Sequence, residues 1–237
     1  AASPFIEGRD SQEADHRLTV YRDNCRRVPS ITGQVIPEPT YTIGGYHDLL
    51  GRLYADIAPH DPEELLRLEW LNSRGAIARF DRNCIEIRVM DAQECPRADL
   101  AIVELLVAII RALCEERWAS LASLQKLPTA SLVHLLNQSI VEAERSEYDE
   151  RAWLAAFGVP RSLPARRLLD QLAENLSDGL SPDAQRVLES LLTDGSLASR
   201  LRQGLDDPAD DPAAFRAGLL RRYRDLADCL RENQLYR

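Results

Sequence analysis

Apolar and charged residues alternate strictly over the stretch that ends at Val89. From Cys84 onward, Ile85, Ile87 and Val89 fall on one face of a strand and Glu86 and Arg88 on the other, because successive side chains point to opposite sides. Gly75 to Phe80 reads as a partner strand. Asp81-Arg82-Asn83 supplies the polar turn, which predicts a hairpin over 75–90. With Ala78 and Phe80 joining the isoleucines on the core side, Arg79 comes beside Glu86 and Arg88, which project together roughly 7 Å apart. One face of the predicted hairpin is apolar; the other sets a carboxylate among guanidiniums.

The stretch 99–118 is apolar almost all the way round, which predicts a buried helix. It is too short, and too interrupted by Glu104 and Arg111, to span a membrane. It is expected to pack on the apolar face of the hairpin and leave the Glu86 and Arg88 face to a cleft. Tyr46 to Ala58 reads as a helix with Leu49, Leu50, Leu53, Tyr54 and Ile57 as its stripe. Asp61-Pro62-Glu63-Glu64 has the form of a further helix start. Residues 1–45 are loop-rich, with a short helix or strand between Ala14 and Arg27 before Pro29, Gly33, Pro37 and Pro39 forbid regular structure. Beyond Ser120 the pattern is helical: about 128–144, 149–157, two or three helices over 161–205, and a last one through about Asn233. That last helix carries Phe215, Leu219, Leu220, Tyr223, Leu226 and Leu230 at helical spacing. The fold class is α+β, an antiparallel sheet covered by helices over 1–126, followed by an all-helical C-terminal region over 127–237.

Composition narrows the function. The 237 residues carry a formal charge of −9, which argues against a nucleic-acid partner, since such binders cluster positive charge on phosphates. Lys126 is the sole lysine, so nearly all positive charge is arginine. The five cysteines, Cys25, Cys84, Cys95, Cys114 and Cys229, are odd in number and lack a C-x-x-C pair, as reduced cytoplasmic thiols do and disulfide or zinc frameworks do not. No signal peptide, lipidation motif or apolar span is present, so no membrane partner is expected. None of His16, His47, His60 and His134 has a triad partner at a recognisable spacing. Neither a glycine-rich phosphate loop nor a Rossmann fingerprint occurs. The aspartates of 206–211 are interrupted by Pro208 and read as a capped linker rather than a calcium loop.

Two readings of the charged hairpin face compete. In one it is a solvated sheet surface where Glu86 pairs with Arg79 or Arg88 to little effect. In the other it is a metal and phosphate site, because a carboxylate is a hard oxygen ligand for Mg²⁺ and a forked guanidinium matches phosphate oxygens. The loop containing Arg26, Arg27, Ser30, Thr32 and Gly33 poses the same choice between a solvated surface and a cradle for anionic oxygens.

The order of several motifs bears on that choice. Glu69-Trp70-Leu71-Asn72-Ser73-Arg74-Gly75-Ala76-Ile77-Ala78-Arg79-Phe80-Asp81, then Ile85-Glu86-Ile87-Arg88-Val89 and Gln93-Glu94-Cys95-Pro96-Arg97-Ala98-Asp99-Leu100, resemble the bacterial glutamate–cysteine ligase family. The branch is the one that includes plant-type enzymes and general carboxylate–amine ligases. Ser3-Pro4-Phe5, Glu7-Gly8-Arg9, Arg27-Val28-Pro29-Ser30-Ile31-Thr32-Gly33 and Ile36-Pro37-Glu38 fit the same family, and together these motifs cover roughly the first half of the chain.

The resemblance implies that the sheet is a fragment of a glutamine synthetase-like fold and that the whole protein is an ATP- and Mg²⁺-dependent ligase. Such a ligase joins the γ-carboxylate of glutamate to the amine of cysteine through an acyl phosphate, in glutathione-precursor synthesis. It assigns Glu86 to the metal and Arg88 to the transferred phosphate. Arg74 falls to substrate or phosphate, and Arg79, Arg27, Ser30, Thr32 and Asn72 to the nucleotide. Asn72 stands where some relatives carry an acid. In the family the Ser-Pro-Phe segment lies mid-chain, so this chain is expected to be the C-terminal portion of a longer protein, catalytically incomplete without its N-terminal half. Partners are then amino acids and ATP, that N-terminal half, and further copies in a homo-oligomer. A different amine substrate, or a non-catalytic helical interaction module, are the alternatives.

Overall fold

The computed structural model describes residues 1–237, apart from the side chain of Glu69. Helices dominate and three short two-stranded antiparallel ladders accompany them, an α+β chain. In chain order the first elements are β1 (Phe5–Ile6), β2 (Arg9–Asp10), α1 (His16–Arg22), α2 (Ile43–Ile57), α3 (Leu68–Leu71), β3 (Ala76–Arg79) and β4 (Cys84–Ile87). Then come α4 (Pro96–Cys114), α5 (Leu121–Leu124), α6 (Thr129–Glu142), β5 (Glu147–Tyr148), α7 (Arg151–Ala155) and β6 (Leu163–Pro164). The chain finishes with α8 (Ala165–Asn175), α9 (Pro182–Asp194), α10 (Leu197–Arg202) and α11 (Pro212–Glu232). No helix among the described residues is long and apolar enough to cross a membrane.

Two compact units interleave along the sequence, one formed by 17–90 with 128–136 and the other by 1–16, 91–127 and 137–237. One boundary falls at 127–128, beside the change of texture, but 137–237 groups with 1–16 and 91–127.

The smaller unit is organised on α2. Thr42 caps its N-terminus by accepting from the Gly45 N–H, and the predicted stripe supplies Leu49, Leu50 and Leu53 to a core with Val28, Ile31 and Leu71. β3 and β4 form the expected hairpin, in register from Ala76 opposite Ile87 to Arg79 opposite Cys84. Its turn is a single 3₁₀ turn followed by Asn83 in the left-handed region at φ 50°, a conformation asparagine tolerates. The polarity of the hairpin is the reverse of that expected. Ile77, on the Glu86 face, is 2% exposed, whereas Ile85 and Phe80 on the isoleucine face are 67% and 50% exposed. Arginines bury their aliphatic stems while their heads find oxygens, so the charged face can turn inward. The Asp61 segment does not start a helix either. Its carboxylate accepts from the N–H groups of Leu65 and Leu66 and caps a turn, and α3 begins only at Leu68.

In the larger unit α4 packs on α9. Ala101, Leu105 and Ala112 meet Leu180, Ala184, Val187 and Leu188. The helix expected to be buried all round is buried along one stripe, while Leu100, Val103, Val107 and Ile110 form a second stripe, 37–62% exposed. Ser181 caps α9 by accepting from Ala184, with Pro182 at the first position, as its sequence signals. Asp211 caps α11 in the same way. Half of the α11 stripe faces out: Phe215 and Leu219 are buried, but Leu220, Tyr223 and Leu230 are exposed. Residues 127–237 are not purely helical, since β5 and β6 pair where Tyr148 faces Leu163.

Two substitutions separate the faces of α4. Leu105→Ala should cost about 2–5 kcal/mol of stability in urea unfolding, whereas Leu100→Ala should stay within about 0.5 kcal/mol.

Candidate functional site

The hairpin gathers three of the predicted residues. Glu86 accepts through Oε1 from Arg88 Nε at 2.8 Å and through Oε2 from Arg79 Nη1 at 3.1 Å. Arg79 also reaches Asp81 at 3.3 Å, and Arg88 Nη1 donates to the carbonyl of Asn72 at 2.9 Å. The side chains of Arg79, Arg88 and Glu86 are 13%, 26% and 38% exposed. The cross-strand register puts Arg79 and Glu86 on one face. The two-residue spacing adds Arg88.

This network fixes the protonation states. Hydrogen bonding from Arg88, joined by Arg79, holds the Glu86 carboxyl below the usual glutamate range against the opposing effect of burial. Burial pulls Arg88 down, but hydrogen bonds with Glu86 and Tyr21 outweigh it and leave its guanidinium raised. Arg79 is raised chiefly by its bond to Asp81, whose carboxyl is lowered in return. The site therefore presents a firmly ionised carboxylate between two permanent cations. A carboxylate has about four lone-pair sites, of which the arginines use two. As a hard oxygen donor Glu86 fits part of a Mg²⁺ shell. Among the described residues no group of three or more His, Cys, Asp or Glu side chains is placed to hold a metal ion.

Asn72 and Arg74 sit beside this network but are turned to other work. Asn72, 2% exposed, donates from Nδ2 to the Tyr46 hydroxyl at 3.0 Å and accepts through Oδ1 from the Arg74 N–H at 3.0 Å. Arg74, also 2% exposed, grips the loop before α2. Its guanidinium donates to the carbonyls of Ser30 and Ile31 and to both oxygens of Glu38, the Ile31 bond measuring 2.9 Å and the Nε bond to Glu38 3.0 Å.

The loop is shaped to receive that guanidinium. Gly33 has φ +55°, and a Cβ there would lie 2.7 Å from Arg74 Nη2. Val35, fully buried at φ 68°, holds a left-handed backbone that is strained for a β-branched residue. Its carbonyl accepts from Gly75, where a Cβ would meet Val89 at 2.5 Å. Ser30 Oγ and Thr32 Oγ1 are buried without a partner, the kind of orphaned group that asks for a reason. Arg27 is exposed on the same loop, and neighbouring Arg26 pairs with Asp23.

Three residues that the sequence did not single out as site residues hold the site together. Arg17 donates to the carbonyls of Arg88 and Val89, Tyr21 to that of Ser73, and the Tyr46 hydroxyl accepts from Ala78 N as well as from Asn72. Tyr46 marked the start of the predicted helix, with no signal in the sequence as a hydrogen-bonding hub. Cys95, which precedes Pro96 at the start of α4, is fully buried and not poised for reaction.

Because the folded carboxyl of Glu86 is held low, the stability it contributes is present above the ordinary glutamate value, about 4.3, and is lost as pH falls through the depressed one. Urea titrations from pH 7 to 3 should show wild type more stable than Glu86→Gln at neutral pH, with the gap closing in acid. A constant gap would contradict the ion-pair assignment.

With the geometry in place, comparison with known proteins adds the lineage. The model of the family described as "Glutamate-cysteine ligase family 2" matches residues 1–226. An uncharacterised protein of Archaeoglobus fulgidus is 31% identical over 236 residues, a match that takes in 100% of this chain and 56% of that protein. The chain thus spans little more than half the length of this curated relative. No solved structure matches. The family match takes in nearly the whole chain, and the chain belongs to glutamate-cysteine ligase family 2.

Proposed function

We propose that this chain is the C-terminal portion of an ATP- and Mg²⁺-dependent ligase of the glutamine synthetase-like fold, joining the γ-carboxylate of glutamate to the amine of cysteine. The observation that carries the reading is the ionised Glu86 held between Arg79 and Arg88 on one hairpin face, in a chain of this family. A carboxylate is a poor acyl donor because it would have to expel oxide. Such ligases therefore form an acyl phosphate, from which the amine displaces phosphate. The protein's task is to hold polyphosphate and carboxylate together and to neutralise the charge that develops in transfer.

In this reading Glu86 supplies one carboxylate to Mg²⁺ and the upstream half of the protein supplies the others. Bound Mg²⁺ would screen the nucleotide phosphates and polarise the transferred group. Arg88 contacts that phosphate, and Arg79 keeps Glu86 ionised and aimed while lending its own charge to nucleotide oxygens. Arg74 and Asn72 act by position: Arg74 closes the loop carrying Ser30 and Thr32, whose unpartnered hydroxyls are the ones a nucleotide or substrate would claim when the loop opens. Arg27 adds an exposed cation on the same loop. The uncovered apolar face of the hairpin at Ile85 and the outer stripe of α4 are surfaces that the upstream half, or another copy of the protein, would cover.

One observation favours a second reading. Both oxygens of Glu86 are already engaged and Arg88 also closes on Asn72, as in a purely structural ion pair on a helical interaction module. The two readings differ in the full-length protein. Under the ligase reading Glu86→Ala and Arg88→Ala each lower turnover by orders of magnitude while leaving the fold intact, and the wild type releases ADP with glutamate and cysteine. Near-normal turnover in either variant defeats those assignments. Release of ADP with another amine in place of cysteine would identify a carboxylate–amine ligase of different specificity.

A further inference from the structure

Helix α1 reaches Arg88 through both its backbone and its side chain. Arg17 and Tyr21 stand four residues apart on α1, a spacing that puts both side chains on the same side of the helix. Arg17 donates to the carbonyl of Arg88 at 3.3 Å and to that of Val89 at 3.2 Å, so it holds the backbone where β4 ends. Tyr21 holds the side chain. Its hydroxyl donates to the carbonyl of Ser73 at 2.8 Å, and the same oxygen is hydrogen-bonded to the Arg88 guanidinium.

The direction of these bonds decides what Tyr21 does. A guanidinium has no acceptor, so the phenol oxygen accepts from Arg88 while its single proton is committed to Ser73. Ser73 is itself anchored, because its N–H donates to the Ile31 carbonyl at 2.9 Å, and the carbonyl of neighbouring Asn72 accepts from Arg88 Nη1 at 2.9 Å. The guanidinium is thereby tied at three points: to Glu86 through Nε, to Asn72 through Nη1, and to Tyr21. Of the five N–H donors of an arginine, these three bonds leave two, the number that a bidentate grip on a phosphoryl group takes.

We propose that Tyr21 is a positioning residue for phosphoryl transfer: its hydroxyl locks the Arg88 guanidinium so that the two remaining N–H donors meet the transferred phosphate, while Arg17 fixes the backbone of 88–89. The inference rests on the ligase reading of Arg88. Without the hydroxyl the guanidinium can pivot about its bond to Glu86. The fork must then be reoriented as charge develops on the phosphoryl oxygens, a cost that falls on the chemical step and not on substrate binding.

Steady-state kinetics of the full-length protein with Tyr21→Phe, Arg88→Ala and the double variant test the role. Tyr21→Phe is expected to lower kcat about tenfold while the KM values for ATP and glutamate stay within about twofold of wild type, as a small misplacement felt only in the transition state would do. In the Arg88→Ala background the same substitution should change nothing further. An additive loss in the double variant, a loss confined to KM, or wild-type kcat in Tyr21→Phe beside an impaired Arg88→Ala overturns the positioning role and leaves the ligase reading in place. Wild-type kcat in Arg88→Ala overturns both. Urea unfolding of the 237-residue chain with the same three variants reads the contact without reference to turnover. The two single losses of stability should sum to more than the loss in the double variant, and strict additivity removes the contact on which the proposal stands.

Discussion

A guanidinium removed from water must be surrounded by oxygens, and that constraint organises this chain more than any single apolar cluster does. With one lysine in the sequence, arginine carries nearly all the positive charge; Arg74 and Arg200 are buried and Arg202 is partly so. Each recruits acceptors from segments far apart in sequence. Arg74 gathers Ser30, Ile31 and Glu38, and Arg200 gathers Glu94, Gly195 and Tyr236. Arg202 ties Asp10 and the carbonyl of Glu13 to α10. Because an arginine has five donors in a fixed fork, each staple specifies direction as well as distance.

The same constraint explains why the loop before α2 is ordered although its prolines and glycines exclude regular structure. The Arg74 fork replaces the ladder hydrogen bonds that the loop lacks. Gly33 provides the space for that fork, and Val35 accepts a strained left-handed backbone at the point where its carbonyl meets Gly75. The hairpin that follows is thereby anchored at Asn72 and Gly75, and its charged residues are set before any ligand arrives.

Much of the local structure was legible in the pattern of residues. Alternation from Cys84 to Val89 gave the hairpin, and cross-strand geometry then gave the meeting of Arg79 with Glu86. Capping residues located the starts of α9 and α11. The misreadings share a cause. Leu100, Val103, Val107 and Ile110 look like core because apolarity was equated with burial, and so do Ile85, Leu220 and Tyr223. Periodicity says which residues share a face. It does not say whether anything lies against that face. Asp61 misled for a related reason: a capping carboxylate serves the N–H groups of a turn as well as those of a helix.

The sequence alone determined the family, the hairpin with its carboxylate between guanidiniums, and most helix positions, because each of these depends on neighbours a few residues apart or on the order of motifs. Tertiary structure alone decided that the charged face turns inward, that α4 meets α9, and that Arg74 and Asn72 hold a loop and a backbone instead of standing open. Those outcomes depend on which distant oxygens reach a buried guanidinium, and no local spacing in the chain encodes such a distance.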